Sequence, residues 1–391
     1  MSLILPSSLL KAIDQRKKED AFRSLSLKNY IVDFYSNDYL GLAHNPQQRE
    51  YAQALLSREP QHNGSTGSRL LSGNYPLIEQ AEEQLAAFHQ APKGLIFNSG
   101  YDANVGIFSS IPLKGDVVLY DQYIHASIRD GLQLTNAQSF KFKHNSLEDL
   151  REKLERFSGK YTSIYIATEA VFSMDGDIPN LKEMVALAKQ YHAYLIVDEA
   201  HSVGVFGERG EGLCQQFGIA NEVFLRLITF GKGIGAHGAI VLAQEPVIDY
   251  LINFARSFIY TTAPSPESIA SIMASYKLLP DLKERKVLQE RIAFFREKIP
   301  FFPSTEQVYF MDSQSSIQGL VVKDTQRLRS LSSLLQTQGL GIKPIYAPTV
   351  PKGEERLRIC LHSFNSQADI EQLFSLITQW LESRSSGYYF F

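Results

Sequence analysis

The sequence predicts an α/β protein built on a mostly parallel sheet with helices on both faces, and three observations carry that expectation. Short apolar runs recur between residues 94 and 242, each ending in a polar cluster. Helix-patterned segments separate them, which is the alternation a parallel sheet requires. Beyond Pro264 and Pro266 the pattern turns helical through Ile269–Lys298, with a break at Pro280, and closes in a smaller α+β segment. At 391 residues the chain is long for one hydrophobic core, so more than one domain is expected.

Taken in order, Ser8–Ser24 reads as a charged helix with Leu9, Leu10, Ile13 and Phe22 available for packing. Tyr75–Gln90 reads as a second helix, and Gly94–Phe97 as a strand running into Asn98-Ser99-Gly100-Tyr101-Asp102. A small-residue turn that opens a helix presents unpaired N–H groups, which suit a phosphate, although most such turns are ordinary caps. Asp116–Tyr120 is the next strand and leads to His125, which taken alone reads as a structural histidine. Ser163–Thr168 ends in Glu169, a helix spans Leu181–Tyr191, and the buried run Leu195–Val197 stops at Asp198-Glu199-Ala200-His201. Leu225–Thr229 and Ala239–Leu242 complete the strands, with Lys232 in the glycine-rich turn between them.

Lys232 taken alone would be a solvated lysine in a turn. The surrounding residues exclude a phosphate loop, because Gly233 stands where Ser or Thr should follow the lysine. The match Gly233-Ile234-Gly235-Ala236-His237-Gly238 leads into an apolar run and not into a helix that would hold a pyrophosphate. Asp-Glu-Ala-His also matches a helicase box, but without a phosphate loop that reading falls away. An acid at the end of one buried strand and a lysine after the next are the pair a pyridoxal 5'-phosphate (PLP) enzyme requires. The amine bonds the aldehyde, and the carboxylate keeps the pyridine nitrogen protonated.

Composition narrows the class further. A net charge of −3 with no long basic run argues against nucleic acid or an anionic membrane as partner. Hydrophobic content of 44% and charged content of 21% are those of a soluble protein, and no apolar run approaches a membrane span. The N-terminus lacks a positive leader and is interrupted by Pro6, so a cytoplasmic protein is expected. Cys214 and Cys360 have no metal-binding spacing; free thiols and no metal are expected. The aromatic tail 387–391 suggests docking on the body or on a partner.

The ordered motifs SNDYLGL (36–42), GSTGSRLLSGN (64–74), SGYDAN (99–104), HAS (125–127), EAVFSMDGD (169–177), VDEAHSVGVFG (197–207), TFGKG (229–233), FIYTTAP (258–264), PTVP (348–351) and RLR (356–358) span nearly the whole chain. In this order they resemble the α-oxoamine synthases, a family of fold-type I PLP enzymes. The resemblance implies a large domain with a mostly parallel seven-stranded sheet, a smaller C-terminal α+β domain and an N-terminal arm. The expected limits are 46–280, 281–391 and 1–45. It implies that Lys232 carries the cofactor and moves protons, Asp198 pairs with the pyridinium, and His125 stacks on the ring. His201 and Ser173 would sit on the side of the phenolic oxygen. Gly100, Tyr101, Thr229 and, across a dimer interface, Thr262 would meet the phosphate, with Asn104 also lining the cofactor. Arg358 would clamp the amino acid carboxylate, with Asn37 beside it, and Arg23 and Thr349 would lie on the acyl-donor side.

The branch most similar in motif joins L-alanine to a pimeloyl thioester in a decarboxylative condensation. Members of that branch carry a basic residue where Tyr346 stands here, a place where a cation would receive the far carboxylate of the acyl chain; Lys343 is close in sequence. The alternatives are another α-oxoamine synthase such as glycine C-acetyltransferase or, from a different class, a catalytically inactive scaffold subunit.

Overall fold

The structure, a computed structural model, describes residues 5–18, 22–23, 25, 30–57 and 63–385. The aromatic tail and part of the expected Ser8–Ser24 helix lie outside the described residues; within them that helix spans Ser7–Lys18.

Seven strands form the central sheet: β1 (Lys93–Phe97), β2 (Val117–Asp121), β3 (Gln138–Phe142), β4 (Ile164–Glu169), β5 (Tyr194–Asp198), β6 (Leu225–Thr229) and β7 (Ala239–Ala243). Their spatial order is β1-β7-β6-β5-β4-β2-β3. The run from β6 to β3 is parallel throughout, and β7 is antiparallel to both its neighbours. The sequence alternation of strands and helices therefore breaks at one point. Residues 230–238 carry the chain from β6 straight back along β7 with no crossover helix, and a short link of that kind can only join antiparallel strands.

Period-two alternation explains why these segments are strands buried on both faces. In β5, Leu195 and Val197 pack into one apolar cluster with the helices Leu147–Phe157 and Leu181–Gln190. Ile196, pointing the other way, packs with Ile107 and Phe108 of helix Gly100–Ser110 and with Ile128. The parallel strands thus end together at one rim, and that rim is where open α/β sheets place their ligands.

A second sheet, β8 (Val308–Phe310), β9 (Ile317–Val322), β10 (Lys343–Ile345) and β11 (Arg356–Cys360), is antiparallel in the order β10-β11-β9-β8. Leu320 and Leu357 of this sheet pack with Leu288, Leu331 and Leu373 from the helices Lys283–Lys298, Thr325–Thr337 and Gln367–Ser385. Near the N-terminus, Val32–Asp33 pairs in parallel with Leu340–Gly341, and Cys360 N donates to Phe34 O at 2.8 Å. That docking carries Asn37 and Tyr39 from the start of the chain to the rim of the large sheet. No helix among the described residues is long and apolar enough to cross a membrane.

Candidate active site

The ends of β4 and β5, the turn after β6 and the edge of the second sheet converge on Lys232. The turn is held by close packing of its glycines: Gly235 has φ +62°, and a Cβ there would lie 2.4 Å from Ala43 N. The Lys232 Nζ donates to His201 Nε2 at 2.6 Å. Loss of solvation lowers the Lys232 amine to a pKa of about 8, against the upward pull of Asp198 and then Glu169. Burial, followed by the cations Lys232 and Arg358, pushes His201 well below its usual range, so the ring is neutral. With Nε2 accepting from lysine, the Nδ1 proton is directed to Tyr39 Oη at 2.7 Å. Tyr39 in turn donates to Asn37 Oδ1 at 3.2 Å, which also accepts from Arg358 Nη2 at 3.0 Å. One hydrogen-bonded chain therefore runs from the amine to the guanidinium.

Asp198 has a different set of partners. Its Oδ2 accepts from Asn104 Nδ2 at 2.8 Å and its Oδ1 from Ala200 N at 2.9 Å. Asn104 also donates to Ser127 Oγ at 3.0 Å, and Ser127 meets His125 Nδ1 at 2.8 Å. The buried Asn104 and Ser127 thus tie the carboxylate to the histidine, whose residue is exposed toward the rim. Among the described residues no cation bonds Asp198, which leaves it suited to a protonated ring nitrogen.

Helix Gly100–Ser110 opens at the same rim. Ser99 Oγ caps it by accepting from Asp102 N at 3.0 Å, so the Gly100 and Tyr101 N–H groups are left for an anion. A Cβ at position 100 would lie 2.3 Å from Thr229 Oγ1, which shows how closely the hydroxyl approaches this backbone. The Tyr101 ring itself points outward and its hydroxyl bonds Asp130. These features fit PLP: a lysine of lowered pKa, an unpaired carboxylate for the ring nitrogen, a neutral histidine, and an N–H cradle with a hydroxyl for the phosphate.

The second sheet closes the site from the other side. Arg358, 8% exposed, donates from Nε to Ser173 O at 2.6 Å as well as to Asn37. Arg356, two residues along the same face, pairs with Asp175. Asp177 on the same loop accepts from His144 Nε2 at 2.8 Å, while His144 Nδ1 faces Asp121 Oδ1 at 2.9 Å. Burial lowers His144, but the bonds to Asp121 and Asp177 outweigh it and raise the ring to about 10. The loop 172–177 is thus fastened to both sheets.

The structure brings Lys232, Asp198, His201, Asn104, Asn37 and Arg358 together, with Gly100 and Thr229 at the helix mouth and His125 joined to Asp198 through Asn104 and Ser127. Thr262 and Thr349 are exposed and outside this cluster, and Arg23 is exposed beyond the N-terminal helix. Ser173 contributes its carbonyl to Arg358. Tyr39, Ser127 and Glu169 belong to the site but were not selected from the sequence, although each sits inside a quoted motif.

The model of the family described as aminotransferase class I and II matches residues 29–377. The chain belongs to that family, and it is a PLP-dependent enzyme of fold type I. The curated 8-amino-7-oxononanoate synthase of Emericella nidulans is 41% identical, over 97% of this chain and 96% of that protein. A crystal structure of 8-amino-7-oxononanoate synthase from Francisella tularensis superposes with a TM-score of 0.77 at 30% identity, over 91% of this chain and 99% of that one. Serine palmitoyltransferase from S. paucimobilis, with a bound PLP–myriocin aldimine, gives 0.86 at 26% identity, over 97% and 98%.

Proposed function

We propose that the chain joins L-alanine to a pimeloyl thioester, giving 8-amino-7-oxononanoate, CO2 and free thiol, a step of biotin biosynthesis. The observation that carries this reading is the convergence of Lys232, Asp198, His201 and Arg358 at one rim, in a chain 41% identical over 97% of its length to a synthase of that activity. PLP, when bound, supplies an aldehyde for an amine and an electron-withdrawing ring for the amino acid's α-carbon.

The protein's own groups divide the remaining work. Asp198 holds a proton on the ring nitrogen, and Asn104 and Ala200 N hold Asp198. With PLP bound, His125 would cover the ring, and Gly100 N, Tyr101 N and Thr229 Oγ1 would hold the phosphate. Arg358 takes the alanine carboxylate on its planar fork, and Asn37 and the Ser173 carbonyl fix the fork's plane. The buried Lys232 amine, its pKa lowered by loss of solvation, takes the α-proton and returns one to the product. His201 orients the amine from Nε2 and stays neutral.

The acyl chain needs a cation at its far end. Lys343 stands directly across from Arg358 in the β10–β11 register, on the same face, and its Nζ lies 5.9 Å from the Tyr35 ring. This register supports Lys343 in the role that Tyr346 leaves open; Arg23 and Thr349 belong to the acyl-donor side by the resemblance alone. The division proposed with it is 1–45, 46–280 and 281–391, with the seven-stranded sheet inside the second segment and the four-stranded sheet inside the third. A homodimer with shared active sites, placed in the cytoplasm, is part of the proposal; the homodimer is supported by the N-terminal helix, which buries none of its residues and exposes Leu9, Leu10 and Ile13. In that assembly Thr262 serves the neighbouring phosphate.

The test is a product assay with purified protein: alanine plus pimeloyl-CoA or pimeloyl-carrier protein, against glycine plus acetyl-CoA. The expected outcome is condensation with the first pair, and a Lys343→Ala variant whose KM rises only for the pimeloyl donor. Preference for glycine and acetyl-CoA overturns the reading.

A further inference from the structure

Glu169 ends β4 and is the register partner of Asp198 at the end of β5. In-register residues of neighbouring parallel strands project from the same face about 4.8 Å apart, so the two carboxyls stand side by side. Glu169 is 3% exposed, and its Oε1 has no hydrogen-bond partner. Asp198 by contrast accepts two hydrogen bonds, from Asn104 and Ala200.

Two ionised carboxylates this close repel each other, and the proton goes to the one whose charged form is less well solvated. The groups facing Glu169 are Asp198 on β5, Lys232 after β6, Asp121 at the end of β2 and the main chain of His125. Only Lys232 is a cation, and its nearest partner is the neutral His201. The orphaned oxygen marks Glu169 as the holder of the proton. Burial first, and Asp198 second, raise it to about 8.

We infer that Glu169 is a positioning residue of the cofactor site, standing as the neutral acid beside Asp198 and beneath the His125 main chain, so that the charge meeting the ring nitrogen resides on Asp198 alone. Its isosteric neutral replacement, glutamine, keeps that arrangement, and alanine opens a gap beneath His125. The inference concerns the PLP site and is independent of which acyl donor the enzyme uses.

The test is infrared difference spectroscopy of the PLP-bound enzyme, with cofactor affinity as a second readout. At pH 6.5 the wild type should show the C=O stretch of a protonated carboxylic acid, shifted in D2O and lost only as pH rises well above the ordinary carboxylate range, because burial and Asp198 hold the group up. Glu169→Gln should lack that band, bind PLP within threefold of wild type and unfold at the same temperature. Glu169→Ala should lose at least tenfold in PLP affinity. Persistence of the band in Glu169→Gln and its loss in Asp198→Asn would place the proton on the wrong carboxyl and overturn the inference. A glutamine variant as weak for PLP as alanine would overturn it too. Should a Glu169 variant fold poorly, the pH titration of the band in wild type and Asp198→Asn decides alone.

Discussion

Asp198 and Glu199 are consecutive acids at one strand end, and the sheet sends them to opposite fates. Asp198 faces the rim, where neutral donors hold it and, among the described residues, no side-chain cation lies within ion-pair distance. Glu199 turns inward. It accepts from Ser202 Oγ at 2.9 Å and Cys214 N at 3.0 Å, and lies 3.8 Å from Arg226, both side chains of that pair being almost fully enclosed. Arg226 in turn donates to His89 O at 2.6 Å. The inner acid has an ion-pair partner within the chain, and the outer one, among the described residues, has only the through-space pull of Lys232. Burial alone does not separate a working carboxylate from a structural one; the origin of the opposing charge does.

That contrast can be broken by mutation, beginning with the amine that shares the outer site. Lys232→Ala should cost turnover more than about 10⁴-fold and abolish the visible absorbance of covalently held PLP, measured by steady-state assay and spectrum. In wild type, capture of PLP by the apoenzyme in stopped flow should speed up as pH approaches about 8 and level off above, because the neutral amine is the reactive form. The lowered pKa has the opposite sign for folding: the unfolded chain binds the extra proton, so apoenzyme stability rises from pH 8 toward the ordinary lysine value.

Next in size is the comparison itself. Asp198→Asn should lower kcat by about 10²- to 10³-fold with little change in melting temperature. Glu199→Gln should do the reverse, keeping most of kcat while costing about 3 kcal/mol in denaturant unfolding, because it strands Arg226. Equal losses of activity in both variants would erase the distinction.

Arg358→Lys should raise KM for the amino acid by about 10- to 100-fold with a smaller change in kcat, since an ammonium cannot replace the planar fork and its bonds to Asn37 and Ser173. The smallest effect is expected farther out. His144→Gln should lower the melting temperature by ~3 °C at pH 6, with the gap closing as pH climbs to about 10, because a raised histidine pKa stabilises below the unfolded value and that gain is lost through the folded one.

Much of this site was legible in the sequence because its key residues follow immediately on buried apolar runs. Lys232 and Asp198 announce themselves that way, and β6 spans the predicted Leu225–Thr229. What escaped depends on register or on distant pairing. Tyr39 meets His201 across 162 positions, and no local pattern encodes that meeting. Glu169 gains its place only when β4 and β5 align. β3 was missed because it is an edge strand, exposed at Gln138–Lys141 and lacking the apolar run that marked the others. The antiparallel return of β7 was hidden for a further reason: periodicity gives strands but not their direction.

The Lys232 loop is sewn at both ends into the interior of the large sheet, with five register pairs joining β6 to β7 and β1 on the far side of β7. Loosening the loop would mean unzipping central strands, so its backbone is a fixed mount. Any movement of the Lys232 amine is therefore expected to come from rotation of its own methylene stem. A residue inserted between Phe230 and Gly238 should silence the enzyme without unfolding it.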